Sequence, residues 1–257
     1  MPLEISIMSA ETFPNAPIRE ALIDIHVTLP TEATLEVLAE YHRPLVERFP
    51  QRRERAVWMG EFRMDSSANP PAENPSKRID GYLHVSDSDG KIVQTRQDGF
   101  TFNKLRPYSD WGTFNREARE LWERYLVLAK PLYVTRLGLR YINRIEVPLP
   151  FDDFREFCPL FPDLPDGVPQ SLNEFFMRFV APLPDAPNAI SAITTTFEIP
   201  ASGETKLPLI LDIEISECFE SFAPETDKIW NKLELFRQAK NKIFFASVTE
   251  AAKKLFR

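Results

Sequence analysis

The chain has 257 residues, 43% hydrophobic and 12% aromatic, which is enough apolar material to bury a sizeable core and excludes a chain disordered throughout. Its formal charge of −7 excludes a protein that coats nucleic acid through a net basic surface, so a nucleic acid partner is not favoured, although a local basic groove remains compatible. No stretch reaches the roughly 18 apolar residues of a membrane-spanning helix, and Cys158 and Cys218 lie far apart without CxxC spacing, so no membrane partner and a cytoplasmic chain with reduced, buried thiols are expected.

Near the start, Ala21, Ile23, Ile25 and Val27 alternate with Glu20, Leu22, Asp24 and His26, the period of a strand with one apolar face. Thr31 then precedes Leu35, Leu38, Leu45 and Phe49 at helical spacing, with Glu32 and Glu36 near the end of the helix dipole that favours anions. Pro44 inside this run is expected to kink or divide the helix. A strand over 56–64 follows, and then SSANPPAENPSK, whose prolines and polar residues read as a mobile loop. GYLHV, the turn SDSDGK and IVQTRQDGFTFNKL read as a hairpin turned at Asp89-Gly90. Asp87 and Asp89 lack the further ligands and closing glutamate of a calcium loop. Ala118, Leu121, Trp122, Tyr125 and Leu128 line one side of a helix over 114–129, which Pro131 ends before a strand over 134–147.

Pro148 and Pro150 close this half, and FDDFREFCPLFPDLPDGVPQS is too proline-rich for regular structure yet too aromatic for a free linker. Strands are expected over 174–181, 189–199 and 207–216, with Gly203 in the last turn. A long C-terminal helical region follows, its apolar side formed by Ile229, Trp230, Leu233, Phe236, Phe244, Phe245, Val248 and Leu255, with Ser247-Val-Thr-Glu250 as a capping box. The pattern predicts an α+β protein of two related lobes, residues 1–148 and 173–257 bridged by 149–172, with mainly antiparallel sheets and helices on one face. The relation lies in element order, the second lobe lacking the first helix.

PIREALIDI, GFTFNKLRPYSDW, LGLRYINRI and FFASVTEAAKKLF resemble a sporadically distributed bacterial and archaeal family of similar length and unknown function. The resemblance spans nearly the whole chain and implies a single unit in a prokaryotic cytoplasm, with the patchy distribution of genes in defence or mobile islands. It implies no reaction and no catalytic residues.

Three arginines carry the main functional expectation. Arg136, Arg140 and Arg144 share one face of their strand with Gly138 and Ile142, opposite Leu137, Leu139, Tyr141, Ile145 and Val147. Asp212 and Glu214 stand opposite an apolar row from Leu207 to Ile215, and the first strand offers Glu20, Asp24 and His26 in the same manner. Two accounts follow. One is cross-strand salt bridging on a solvated sheet face. The other is a groove between lobes in which arginine forks grip carboxylate or phosphate groups, and Gly138 inside the strand fits a close approach there.

Lys104 and Arg106, interleaved with Phe100, Phe102, Tyr108 and Trp111, extend the candidate binding set, although core or helix-entry packing is the leading account of these aromatics. Asp212, Glu214 and Asp24 would suit a divalent cation such as Mg²⁺ bridging to phosphates. His26, His42 and His84 are scattered over different elements without ligand spacing. There is no nucleophile elbow and no glycine-rich phosphate loop. The expected function is a binding or interaction module whose arginine-lined groove takes an anionic small molecule or an acidic protein segment. The alternatives are a divalent-cation-dependent enzyme on a phosphate-containing substrate and an assembly subunit whose aromatics form a homodimer surface.

Overall fold

Strand alternation accounts for most of the architecture. The computed structural model describes residues 13–59, 76–169, 172–197 and 203–257. In chain order these form β1 (Ile18–Thr28), α1 (Leu35–Ala39), β2 (Gln51–Met59), β3 (Ser76–Ser86), β4 (Lys91–Arg96), β5 (Gly99–Leu105), α2 (Trp111–Ala129) and β6 (Tyr133–Pro148). After them come β7 (Phe176–Leu183), β8 (Ala186–Phe197), β9 (Lys206–Phe222), α3 (Thr226–Ser247) and α4 (Glu250–Lys254). The fold is α+β, and its strands make one antiparallel nine-stranded sheet in the order β2-β3-β4-β5-β1-β6-β9-β8-β7.

From the β1–β6 pair the sheet runs outward through β5-β4-β3-β2 on one side and through β9-β8-β7 on the other. Both halves of the chain therefore feed one sheet, because β6 pairs directly with β9 from Val134–Phe222 to Pro148–Lys206.

One face of the sheet is the core. Ala21, Ile23 and Ile25 of β1, Phe100 and Phe102 of β5, Leu137, Leu139 and Ile145 of β6 and Leu209, Leu211, Ile213 and Ile215 of β9 are fully buried there. Phe114, Ala118, Leu121, Trp122 and Tyr125 of α2 and Ile229, Leu233 and Phe236 of α3 join the same core. Phe102 stacks on Phe114 with ring centroids 5.4 Å apart, and Phe100 meets the Trp122 ring edge-on at 5.8 Å. Burial of such rings is the largest single contribution a side chain makes to folding.

Several local details depart from the sequence-based expectation. The first helix is capped by Thr34 rather than Thr31, and its α-helical part stops at Ala39 before a tighter 3₁₀ turn over Glu40–Leu45 that contains Pro44. Pro44 has no N–H for the carbonyl four residues back and its ring crowds that group, so regular α-helix cannot run through it. The strand expected over 56–64 begins at Gln51, since Arg52, Arg53 and Glu54 are tolerated on an edge strand whose side chains reach water. Residues 60–64, and 66–75 of the proline-rich stretch, lie outside the described residues.

The run IVQTRQDGFTFNKL is two strands, not one. Gln97-Asp98 turns the chain so that Arg96 pairs with Gly99, and Gly99 lies against the Ile25 carbonyl of β1, where a Cβ would collide. The last helix is capped by Thr249, whose hydroxyl accepts from Ala252 N at 3.3 Å, rather than by Ser247. The aromatic stretch after β6 packs on the sheet through buried Phe154, Phe157 and Cys158, and Phe154, Phe161, Phe175 and Phe197 cluster there with centroids 4.9 to 6.4 Å apart. Both cysteines are free, and Cys218 is exposed rather than buried. No helix among the described residues is long and apolar enough to cross a membrane.

Truncating the fully buried Phe100 to alanine is expected to cost about 3 to 5 kcal/mol in urea unfolding. Val127 on α2, 75% exposed, is the control, and Val127→Ala should change stability by less than about 0.5 kcal/mol.

Candidate functional site

The charged rows of β1, β6 and β9 lie on the sheet face opposite the core, which no helix of the described residues covers. Arg136 reaches to both sides. Its Nη1 donates to Asp24 Oδ2 of β1 at 2.9 Å, and its Nη2 donates to Glu214 of β9. Arg140 grips Asp212 with a two-pronged fork, Nε to Oδ1 at 2.9 Å and Nη2 to Oδ2 at 2.6 Å. Arg144 pairs instead with Glu146 of its own strand. The arginine row and the acidic row therefore meet side by side on adjacent strands of one sheet, not across a groove between lobes. The face is open enough that the Arg140 side chain remains 40% exposed.

Asp24 is the most heavily engaged carboxylate. Besides Arg136 it accepts from Arg96 Nη2 at 3.0 Å and Thr101 Oγ1 at 2.7 Å, and His26 Nε2 lies 2.9 Å away. Burial alone would raise its pKa, but the His26 hydrogen bond, the Arg96 charge and Thr101 outweigh burial and hold it well below the usual carboxylate range. Gly138 has a role inside this network. A Cβ there would stand 3.0 Å from Arg136 Nη1, so the glycine clears a path for its neighbour's guanidinium and calls for no ligand.

Lys104 and Arg106 do not join the row. Lys104 sits opposite Ala21 on the core side of β5 and bonds the Asp89 carbonyl, because one residue's shift along a strand changes the face. Arg106 is exposed beyond the end of β5, its N–H bonded to Arg19 O. Asp24, Asp212 and Glu214 do not converge as metal ligands, since the Arg136 guanidinium stands between Asp24 and Glu214 and Arg140 occupies Asp212. No group of three potential ligands forms among the described residues.

Farther out on the same face, Asp212 of β9 is paired with Thr194 of β8, and Thr194 with Arg178 of the edge strand β7. These residues, with Arg140, Phe176, Ala192 and Glu214, line a shallow depression of about 310 Å³. Arg178 is exposed and has no carboxylate partner among the described residues. Sequence reasoning passed over it because a lone arginine in FFMRFV carries no pattern of its own.

Tertiary folding brings two further groups together. His42 and His84, 42 residues apart, stack with Nδ1 atoms 3.2 Å apart, and His84 Nε2 meets Thr95 Oγ1 at 3.0 Å. Burial, His42 and Arg52 push His84 down to about 3, so this pair is held neutral. On the core side, a pocket of about 180 Å³ opens between α3, β6 and the segments before β1 and α2. Lys240 projects into it from α3. Its position four residues from both Phe236 and Phe244 places it on the buried stripe of that helix, which is the sequence signal that would have revealed it.

The chain matches no protein-family model and no curated protein.

Because Asp24 is more acidic in the folded chain than in the unfolded one, its contribution to stability is complete above its unfolded pKa of about 4 and is lost as pH falls below that value. Asp24→Asn is therefore expected to lower stability by about 2 to 3 kcal/mol at pH 7. The gap between variant and wild type should close progressively below about pH 4, read from urea unfolding across that range.

Proposed function

We propose that the protein is a binding module that receives an acidic protein segment on its open sheet face, at Arg140 and Arg178. The observation that carries this reading is an exposed arginine without a carboxylate partner among the described residues, next to a half-exposed arginine fork on a sheet face that no described helix covers. Arg136 is spent on Asp24 and Glu214, so it stiffens the surface and leaves recognition to its neighbours. Phe176 and Val180 flank Arg178 on the same face of β7 and are exposed at 69% and 52%. An extended segment lying along this edge strand would gain main-chain hydrogen bonds, apolar contact and a carboxylate-guanidinium pair together. With a net charge of −7, attraction to an acidic segment is local and short in range.

The enzyme reading has less support, since each carboxylate proposed for a cation is already matched by an arginine. The two halves are read as structurally related, each a strand, an antiparallel meander and a long helix, β1 to α2 and β6 to α3. This reading puts their junction between α2 and β6 rather than after Pro148. A prokaryotic cytoplasm and a defence or mobile-element setting complete the proposal.

Poly-L-glutamate is expected to raise the melting temperature without Mg²⁺, and Arg178→Glu should abolish that shift. Arg140→Ala should weaken binding by about 1 to 3 kcal/mol while lowering intrinsic stability by less than about 1 kcal/mol. Stabilisation by tripolyphosphate only when Mg²⁺ is present would favour the enzyme reading, and an equal polyglutamate shift in Arg178→Glu would remove the proposed site.

A further inference from the structure

On the opposite side of the sheet, the pocket below α3 is lined by aromatic and aliphatic walls that include Phe13, Ile18, Trp111, Phe244 and Phe245. Its charged donors are Lys240 and Arg237, and Asp110, Asn143 and Asn241 also line it. Lys240 is 8% exposed, and its Nζ lies 3.9 Å from the centre of the Tyr141 ring, with no hydrogen-bond acceptor or carboxylate partner among the described residues. Tyr108 and Tyr141 share one proton in a 2.8 Å hydroxyl–hydroxyl bond, which leaves a second O–H to donate elsewhere. Arg237 spends Nε and Nη2 on Glu234 and keeps Nη1. Glu234 cannot serve Lys240, because it is occupied by Arg237, Trp111 Nε1 at 2.9 Å and Gln238.

A buried amine over an aromatic face is favoured as a cation by the ring and disfavoured by the loss of water. Asp110 at the rim caps α2 through Thr113, so no carboxylate among the described residues pairs with Lys240. We propose that this pocket binds a small carboxylate on a single-ring or short aliphatic body, its carboxylate on the Lys240 ammonium and its body against the aromatic walls. The size fits, since an apolar cavity of about 150 Å³ accommodates benzene and this one measures about 180 Å³. The site is separate from Arg178 and does not depend on the acidic-segment reading.

Burial, and then the Arg237 charge, push the Lys240 amine down to about 7. The other charged or titratable groups at the pocket are Glu234 of α3, Tyr108 and Asp110 before α2, and Tyr141 of β6, and the lining residues before β1 carry none. A bound carboxylate holds the amine protonated. Binding above pH 7 therefore requires proton uptake, and affinity falls as pH rises, by up to about tenfold per unit.

The test is calorimetric titration of the full chain with benzoate, with benzyl alcohol as the neutral isostere, at pH 6 and pH 8.5. Benzoate is expected to bind one site per chain at pH 6, at least about tenfold more tightly than benzyl alcohol, and to weaken by about tenfold or more at pH 8.5. Lys240→Met, which keeps the length of the side chain, should erase the preference for benzoate over benzyl alcohol. Absence of one-to-one binding by both benzoate and hexanoate would overturn the proposal. So would a folded Lys240→Met variant that binds benzoate as tightly as wild type. Should that variant not fold, the wild-type comparison decides, and pH-independent benzoate binding overturns the assignment.

Discussion

Everything in this molecule is arranged around β6, a 16-residue strand paired on one side with β1 and on the other with β9. Its side chains alternate between a buried apolar row and a row of arginines. Strand geometry permits no compromise between the two. Once Leu137, Leu139, Tyr141, Ile145 and Val147 are buried beneath the helices, the arginines must stand on the other face. Their charges are then met by whatever the flanking strands present at the same level.

That constraint makes the charged face cooperative in a specific sense. Arg136 is held from both neighbours at once, by Asp24 on β1 and Glu214 on β9, so one guanidinium ties together three adjacent strands of a sheet built from both halves of the chain. Asp24 gathers Arg96, Thr101 and His26 as well, which extends the same network toward β4 and β5. Partly buried pairs of this kind cost desolvation and stabilise mainly against the loss of one partner. The network thins toward β7, where Arg178 has no such neighbour among the described residues.

The core face follows different physics. Phe100, Phe102, Phe114, Trp122 and Tyr125 interlock as one aromatic layer, and Tyr41 is fixed to it by a 2.8 Å bond to the Leu121 carbonyl. Toward α3 this layer gives way to the pocket beside Tyr141, where a buried amine interrupts the apolar stripe of the helix. Burying an ammonium without a carboxylate partner opposes folding, and Lys240 stands on the buried side of α3 all the same.

Much of this was legible in the residues. Period-two alternation in 20–27, 134–147 and 207–216 determined which side chains would be buried, and Pro44, Pro131 and Gly203 marked breaks that the chain respects, because these are local consequences of backbone geometry. The sequence also contained the two charged rows, on the correct faces of their strands. Tertiary structure alone decided that those rows would be neighbours in one open sheet, that Lys104 would turn away from Arg136, that His42 would stack on His84, and that Lys240 would be enclosed with Tyr108 and Tyr141. Strand order is a contest among long-range pairings whose energies no local pattern records, so it emerges only when every strand competes for the same partners.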